Sequence, residues 1–374
     1  MFKKTIKHLF LSAIIAISIN INSFADNDIK ARLAVLPFNN ITSDKQYDWI
    51  SQGFSESLTT AFAQTGKFIV VERTQLERIL KEQTFQKSGL VNEKDVVQIG
   101  KILGVDKLII GSYQVFSGNI NVNSRVVDVK TAQVEKNGAI SNKREKLENI
   151  FELQEQLCLL HSKAFDSEFS NLEQAKVSIA TAKTKTSLSV YELYLKGREQ
   201  FFRFNPEGFA NAVKIYNQVL EMEPDYPLAI SELAKVYSKI GFQRQFHGQE
   251  YKSYYQKAIE YGQKAVKIAP GFAESHSGLG VAYIKNGQPK LAEIEIRKSL
   301  EINPQSSENY YYLWKIVSEN IDSDYVKKAI ELDPHFSAAY NDLGMLYAKA
   351  KNFKKAIEYY NLAIKNNSGF AFAY

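Results

Sequence analysis

Five histidines and a single cysteine are the residues of this chain best suited to metal or nucleophilic chemistry. Their spacing assembles neither. His161, His247, His276 and His335 are dispersed, and none stands in a metal-ligand spacing such as H-E-x-x-H. The chain has no G-x-x-x-x-G-K-[ST] phosphate loop and no G-x-S-x-G turn to expose a nucleophilic serine. Gly278-Leu-Gly280 offers two glycines of a dinucleotide loop, but no strand precedes them, and helix packing accounts for them. His276 reads as a core or half-buried histidine rather than a ligand. Cys158 lies in an apolar helical pattern, so a buried, inert thiol is expected; an intermolecular bridge is the alternative. Glu221 and Glu223 read as solvated helix charges. The expectation is a protein that is not an enzyme, with no cofactor and no metal.

The composition points to ordered domains. A chain of 374 residues has room for two or three of them, and 45% apolar with 24% charged residues is ordinary for a soluble globular protein. The formal charge is +6, but Lys3, Lys4 and Lys7 lie in a leader without acids, leaving +3 (6 − 3). That balance is too weak and too evenly spread to argue for nucleic acid. The leader has a basic start, a mostly apolar core from Leu9 to Ile21 and small residues at Ser23 and Ala25, the pattern of a signal peptide over residues 1–25. Its core of thirteen residues falls short of the roughly 20 that a spanning helix needs. A retained anchor is the alternative; cleavage leaves no integral membrane span. No cysteine follows the leader to carry a lipid.

Residues 28–169 read as one domain. Arg32–Phe38 is a short apolar strand, and Ile50, Phe54, Leu58 and Phe62 form a helical stripe closed by Gly66. Lys67–Glu72 is a second strand. Thr74 and Glu77 have the spacing of a capping box for the next helix, and Asp95–Leu103 is a third helix ending at Gly104. Lys107–Val115, Ile120–Val129 and Gln133–Ile140 then read as strands joined by turns at Gly118-Asn119 and Lys130-Thr131, followed by a helix over Glu148–Phe169. This order predicts an α+β fold with helices on a mixed sheet.

Four blocks in this region, RLAVLPFNN, DWISQGFSESLTTAFAQTGKFIVVERTQLERILKEQ, LGVDKLIIGSY and VNSRVVDVKTAQV, resemble the soluble domain of CsgG-type curli-secretion proteins. FlgO-like and TolB amino-terminal domains share a similar architecture. The resemblance runs from about residue 31 to 140. A channel of that family needs two membrane hairpins per subunit, with strands of about 9 to 11 residues. The intervals Gln83–Gly104 and Tyr113–Asn121 leave no room for them. The resemblance therefore implies a fold, a bacterial envelope location (periplasmic or outer-membrane-associated) and a homo-oligomer formed through this domain, but no pore.

Residues 170–187 are polar and read as a tether or a loosely packed connector. From Leu188 a second pattern begins, clearest in His335–Ser368, where Tyr340, Leu343, Gly344 and Tyr347 mark one helix and Ala356, Tyr360 and Ala363 the next. Phe370 and Tyr374 repeat Phe336 and Tyr340 at a period of thirty-four. These residues and this period resemble the tetratricopeptide repeat (TPR). About four and a half copies fill residues 188–374, with Pro224, Pro270, Pro304 and Pro334 stopping the second helices. The second copy carries extra residues around Phe242–Tyr254, and the fourth is expected to have a stunted second helix. Because the last copy is cut short, the sequence reads as an incomplete chain or one whose end a partner covers. The whole reads as an α+β domain followed by an all-α TPR solenoid.

Stacked repeats line a groove with their first helices. The repeat register places Ser231, Lys235 and Lys239 there, then Ser277, Val281 and Lys285. Tyr311 and Lys315 follow, then Asn341, Met345 and Lys349. Five lysines on one face suggest a protein or peptide partner with acidic or carboxylate groups; solubilising lysines with no ligand are the alternative. The favoured expectation is a non-catalytic envelope scaffold that docks or oligomerises through its first domain and recruits a protein through its repeats. The alternative is an accessory part of an outer-membrane secretion or surface-assembly machine, without a pore of its own.

Overall fold

The computed structural model describes residues 30–366 except 43, 73–74, 77–92, 166–168 and 183–184. The leader, the Thr74 and Glu77 cap and the start of a further repeat at Gly369 lie outside the described residues. In chain order, the first domain comprises β1 (Arg32–Val35), β2 (Asn39–Asn40), α1 (Trp49–Thr65), β3 (Ile69–Val70) and α2 (Glu93–Leu103). It continues with β4 (Lys107–Phe116), β5 (Asn119–Asp128), β6 (Val134–Lys146) and α3 (Ile150–Ser162). The strands form one sheet in the order β3-β1-β4-β5-β6, with β2 also paired to β4. β1 runs parallel to β3 and β4, whereas β4, β5 and β6 form an antiparallel meander. The sheet is mixed, as its sequence predicts.

Burial on both faces explains the unbroken apolar run of β1. On one side Ile50, Phe54, Leu58 and Phe62 of α1 are wholly buried against Leu33, Val35 and Ile109. On the other, Val96, Ile99 and Leu103 of α2 meet Ala34, Leu108 and Val127. β6 extends six residues past the expected end at Ile140, to Lys146, pairing it with Asn119. Its residues are mostly exposed and polar, so no alternation marks its length, and register shifts interrupt it.

Two expectations for the joining region need correction. The helix α3 ends at Ser162 rather than Phe169, although Phe165 and Phe169 still pack on Phe62 at 5.9 and 5.8 Å. The supposed tether carries a helix, α4 (Asn171–Ala182), which lies along α1. Val177 is fully buried there, and Glu173 pairs with Lys67 at 3.1 Å.

Five helix pairs follow: α5 (Leu188–Phe201) with α6 (Pro206–Met222), α7 (Pro227–Phe246) with α8 (Lys252–Ile268), and α9 (Ala273–Lys285) with α10 (Pro289–Ile302). The last two are α11 (Ser307–Val317) with α12 (Asp324–Leu332), and α13 (Ser337–Lys349) with α14 (Phe353–Asn366). The helices α6, α8, α10 and α12 each stop two residues before their proline, and α12 is stunted at nine residues. Glycines on the first helices allow close approach of the second. A Cβ on Gly280 would stand 2.6 Å from Ile296, and one on Gly344 would stand 2.7 Å from Tyr360. Ala356, 3% exposed, has its own tight place in α14. Ala356→Leu is expected to cost about 1–3 kcal/mol through overpacking. A thermal melt that does not move would contradict this packing.

The described residues from Ala31 onward fall in one compact unit. The largest apolar core runs from Leu33 on the sheet through Tyr191 to Ala292 in the third repeat. Tyr191 of α5 sits edge-on to Trp49 at 5.9 Å and lies 4.8 Å from Phe151. Gly53 makes room for it: a Cβ there would meet Leu195 at 3.2 Å and the Tyr191 hydroxyl at 3.3 Å. The first repeat therefore grows directly out of the first domain.

Candidate partner-binding groove

The first helices α7, α9, α11 and α13 bring the predicted face together, but most of it is already engaged. Ser231 is buried, with its hydroxyl 3.1 Å from that of Ser275. Lys235 pairs with buried Glu232 at 3.0 Å, and Lys239 is half-buried. The Ser277 hydroxyl donates to Asn309 Oδ1 at 2.8 Å, and Val281 is buried. Lys285 lies over the Phe242 ring at 4.3 Å, beside a cavity of about 550 Å³ lined also by Gln245, Tyr251, Tyr255 and Asn286. Burial beside Lys239 lowers the Lys285 pKa, and Glu308 only partly offsets that.

The Tyr311 hydroxyl donates to Asp342 at 2.9 Å, and burial together with that carboxylate pushes its pKa up. Lys315 pairs with the same Asp342 at 2.9 Å and with Glu319; burial opposes its charge, but these bonds raise its pKa. Asn341 is buried beside Asp342. Only Met345, 47% exposed, and Lys349 face solvent openly. Of the five lysines, three are thus tied to a neighbouring carboxylate or ring. The sequence places them on one face but does not show that the carboxylates of Glu232 and Asp342 would meet them there.

The first domain reaches the helix ends of the fourth repeat. Gln305, at the start of the fourth repeat and 8% exposed, uses its whole carboxamide on the end of α1 and on β3. Its Oε1 accepts from the Val70 N–H at 2.9 Å, and its Nε2 donates to Phe68 O at 2.5 Å and Ala63 O at 3.3 Å. Gln75 Nε2 donates to the Ser307 hydroxyl at 3.4 Å. From β1, the Arg32 guanidinium donates to Glu331 O at 2.8 Å and Leu332 O at 3.2 Å. It caps the carboxyl end of α12, where free carbonyls favour a cation. At the other end, Arg198 of α5 bridges Glu56 of α1 at 3.5 Å and Glu232 of α7 at 3.7 Å. Glu72 follows β3, within electrostatic range of Lys235, Glu274, Glu308 and Asp333. Burial, strengthened by the three acids and opposed by Lys235, pushes its carboxyl up to about 8.

The residues considered for chemistry sit elsewhere. His161 is buried, with Nε2 2.8 Å from the Ser124 hydroxyl, and burial depresses it to about 4. His276 joins Glu295 at 2.7 Å and Pro270 O at 2.9 Å, tying one repeat's helices together. Burial raises the Cys158 thiol pKa, so little thiolate forms near neutrality. Among the described residues no group of three His, Cys, Asp or Glu is arranged to hold a metal ion. No described helix is long and apolar enough to cross a membrane.

This architecture can be set beside known proteins. The family model described as "Curli production assembly/transport component CsgG" matches residues 16–120, and tetratricopeptide-repeat models match residues 273–306 and 337–370. The chain joins a CsgG-type domain to tetratricopeptide repeats. A "Putative adenylate cyclase 3" of Rhizobium meliloti is 22% identical over 255 residues, covering 68% of this chain and 40% of that protein. "Anaphase-promoting complex subunit 3" of Schizosaccharomyces pombe is 25% identical over 153 residues, covering 40% of this chain and 21% of its own. The chain thus spans less than half the length of these curated relatives. Among solved structures, a thermophilic TPR protein of Thermus thermophilus is 16% identical with a TM-score of 0.40, covering 49% of this chain and 94% of its own.

Proposed function

We propose that this chain is a non-catalytic cell-envelope scaffold, exported to the periplasm or the periplasmic side of the outer membrane. Its CsgG-type domain docks or oligomerises, and its repeats bind a protein partner. The observation supporting this reading most strongly is the direct seating of the first domain on the repeats through Gln305 and Arg32. It fixes the relative position of two binding modules, which is the task of a scaffold. The partner groove is drawn over the eleven face residues named above, with the Met345–Lys349 end the most open to an acidic or carboxylate-bearing segment. Replacing Lys285, Lys315 and Lys349 together by glutamate is expected to lower partner recovery from envelope extracts at least fivefold, since each loses a favourable charge contact and gains a repulsive one. Unchanged recovery would remove the acidic-partner reading.

The second reading, an accessory part of a secretion or surface-assembly machine, draws on the CsgG-type match itself. It requires the first domain to join a ring. A discrete ring on a sizing column or in electron micrographs supports it; a monomer supports the scaffold reading.

A further inference from the structure

The extra residues of the second repeat form one wall of the cavity beside Lys285. The helix α7 runs on to Phe246 before the chain turns back into α8 at Lys252. The Arg244 guanidinium holds that turn, donating to Glu250 O at 2.7 Å and lying over the Tyr254 ring at 5.0 Å. Gly241 admits Tyr255 against α7, since a Cβ there would stand 2.5 Å from the ring. Tyr255, 1% exposed, donates its hydroxyl to Gln245 Oε1 at 2.7 Å, and Tyr251 packs edge-on to it at 5.4 Å. The other wall is the end of α9, where Lys285 leads into Asn286 and Gly287. The volume of about 550 Å³ lies within the roughly 300–1,000 Å³ usual for small-molecule sites.

The lining has a definite charge. Lys252 and Lys285 bring two ammonium groups, and no carboxylate stands among the described lining residues. Glu250, next to Tyr251 in the chain, turns its carboxylate to the start of α8, accepting the Ser253 N–H at 3.0 Å and the Ser253 hydroxyl at 2.8 Å. Lys285 rests on the Phe242 ring, and burial beside Lys239 works against its charge, with Glu308 a partial offset. An anion in the cavity would supply the countercharge. Donors and acceptors stand beside the cations. Gln245 accepts from Tyr255 through Oε1, which leaves Nε2 to donate. Asn286 donates to Gln288 at 3.2 Å, which leaves Oδ1 to accept, and the Tyr251 hydroxyl can do either.

We propose that this cavity binds a small carboxylate-bearing sugar, a mono- or disaccharide of the uronic-acid type. Its carboxylate lies on Lys285, with Lys252 adding charge at the exposed edge, and its hydroxyls meet Gln245, Asn286 and Tyr251. A sugar presents donors and acceptors side by side, which matches this lining better than a simple inorganic anion does. A flat base is a poorer fit, because Tyr251 and Tyr255 meet at 65° and form no parallel slot. The ligand is a free small molecule, so the site stands whether or not the repeats hold a protein, and it goes beyond the scaffold reading.

Isothermal titration calorimetry of the full chain with digalacturonate and with glucuronate tests this, with neutral cellobiose and AMP as the comparison ligands. At least one of the two uronates is expected to bind saturably at one site, and cellobiose and AMP at least tenfold more weakly. Lys285→Met keeps an unbranched stem on Phe242 but removes the charge, and should weaken uronate binding about tenfold or more. No binding of either uronate, cellobiose or AMP binding as tightly as the uronates, or unchanged affinity in Lys285→Met would each overturn the proposal. If Lys285→Met fails to fold by circular dichroism, Lys252→Gln decides, because its side chain is exposed. A fall of about threefold there supports the site, and unchanged affinity overturns it.

Discussion

Tyr191→Ala is expected to destabilise the chain by about 3–5 kcal/mol, and to do so in one unfolding transition. The side chain is 2% exposed and stands at the joint of three helices: Trp49 of α1 at 5.9 Å, Phe151 of α3 at 4.8 Å and Tyr194 of its own α5 at 6.4 Å. Truncation would leave a cavity that α1 cannot fill, because Gly53 contributes no side chain at the closest approach. The hydroxyl matters less. Its distances to Ser57 and Gln154 are 3.4 and 3.5 Å, long for hydrogen bonds between such groups. Tyr191→Phe is therefore expected to cost less than about 1 kcal/mol. Urea denaturation of the three proteins separates the cases: nearly equal midpoints for Tyr191→Ala and the unaltered chain would mean that the joint does not bear load.

The second large effect is expected at Gln305. Gln305→Ala should cost about 3 kcal/mol, because it leaves the Val70 N–H and Phe68 carbonyl without their partner in a buried place. The loss is a desolvation penalty rather than a packing loss, so refilling the volume does not repair it. Gln305→Leu should be no better than alanine. Gln305→Glu should be worse than either near neutral pH, since a carboxylate would face the Phe68 and Ala63 carbonyls that now accept from Nε2. The order of the three midpoints checks this account; a leucine variant as stable as the unaltered chain would contradict it.

What is legible in the sequence follows from range. The stripe Ile50, Phe54, Leu58 and Phe62, and the glycines, tyrosines and prolines of the repeats, declare themselves because their partners lie within a helical turn or the next helix. The stunted α12 is legible for the same reason, as a shortened period. The bonds of Gln305 span 235 to 242 positions and those of Arg32 about 300, and no local pattern marks either residue. A polar residue just after Pro304 reads as an ordinary turn until the sheet is placed against it. The helix α4 escapes notice because its sequence is mostly polar, although Val177 is buried. The repeat register puts the lysines on one face, yet it says nothing of Asp342, which occupies both Tyr311 and Lys315. Their apparent freedom in the sequence is therefore greater than their freedom in the folded chain.

The central claim is that the CsgG-type domain and the repeats form one body, with the first domain reaching the helix ends of the fourth repeat. Differential scanning calorimetry of the full chain tests it most directly. The account predicts a single transition, with equal calorimetric and van't Hoff enthalpies, that moves as a whole to lower temperature in Gln305→Ala. Two separate transitions, only one of them shifted by that substitution, would show that the domains fold independently and would contradict it.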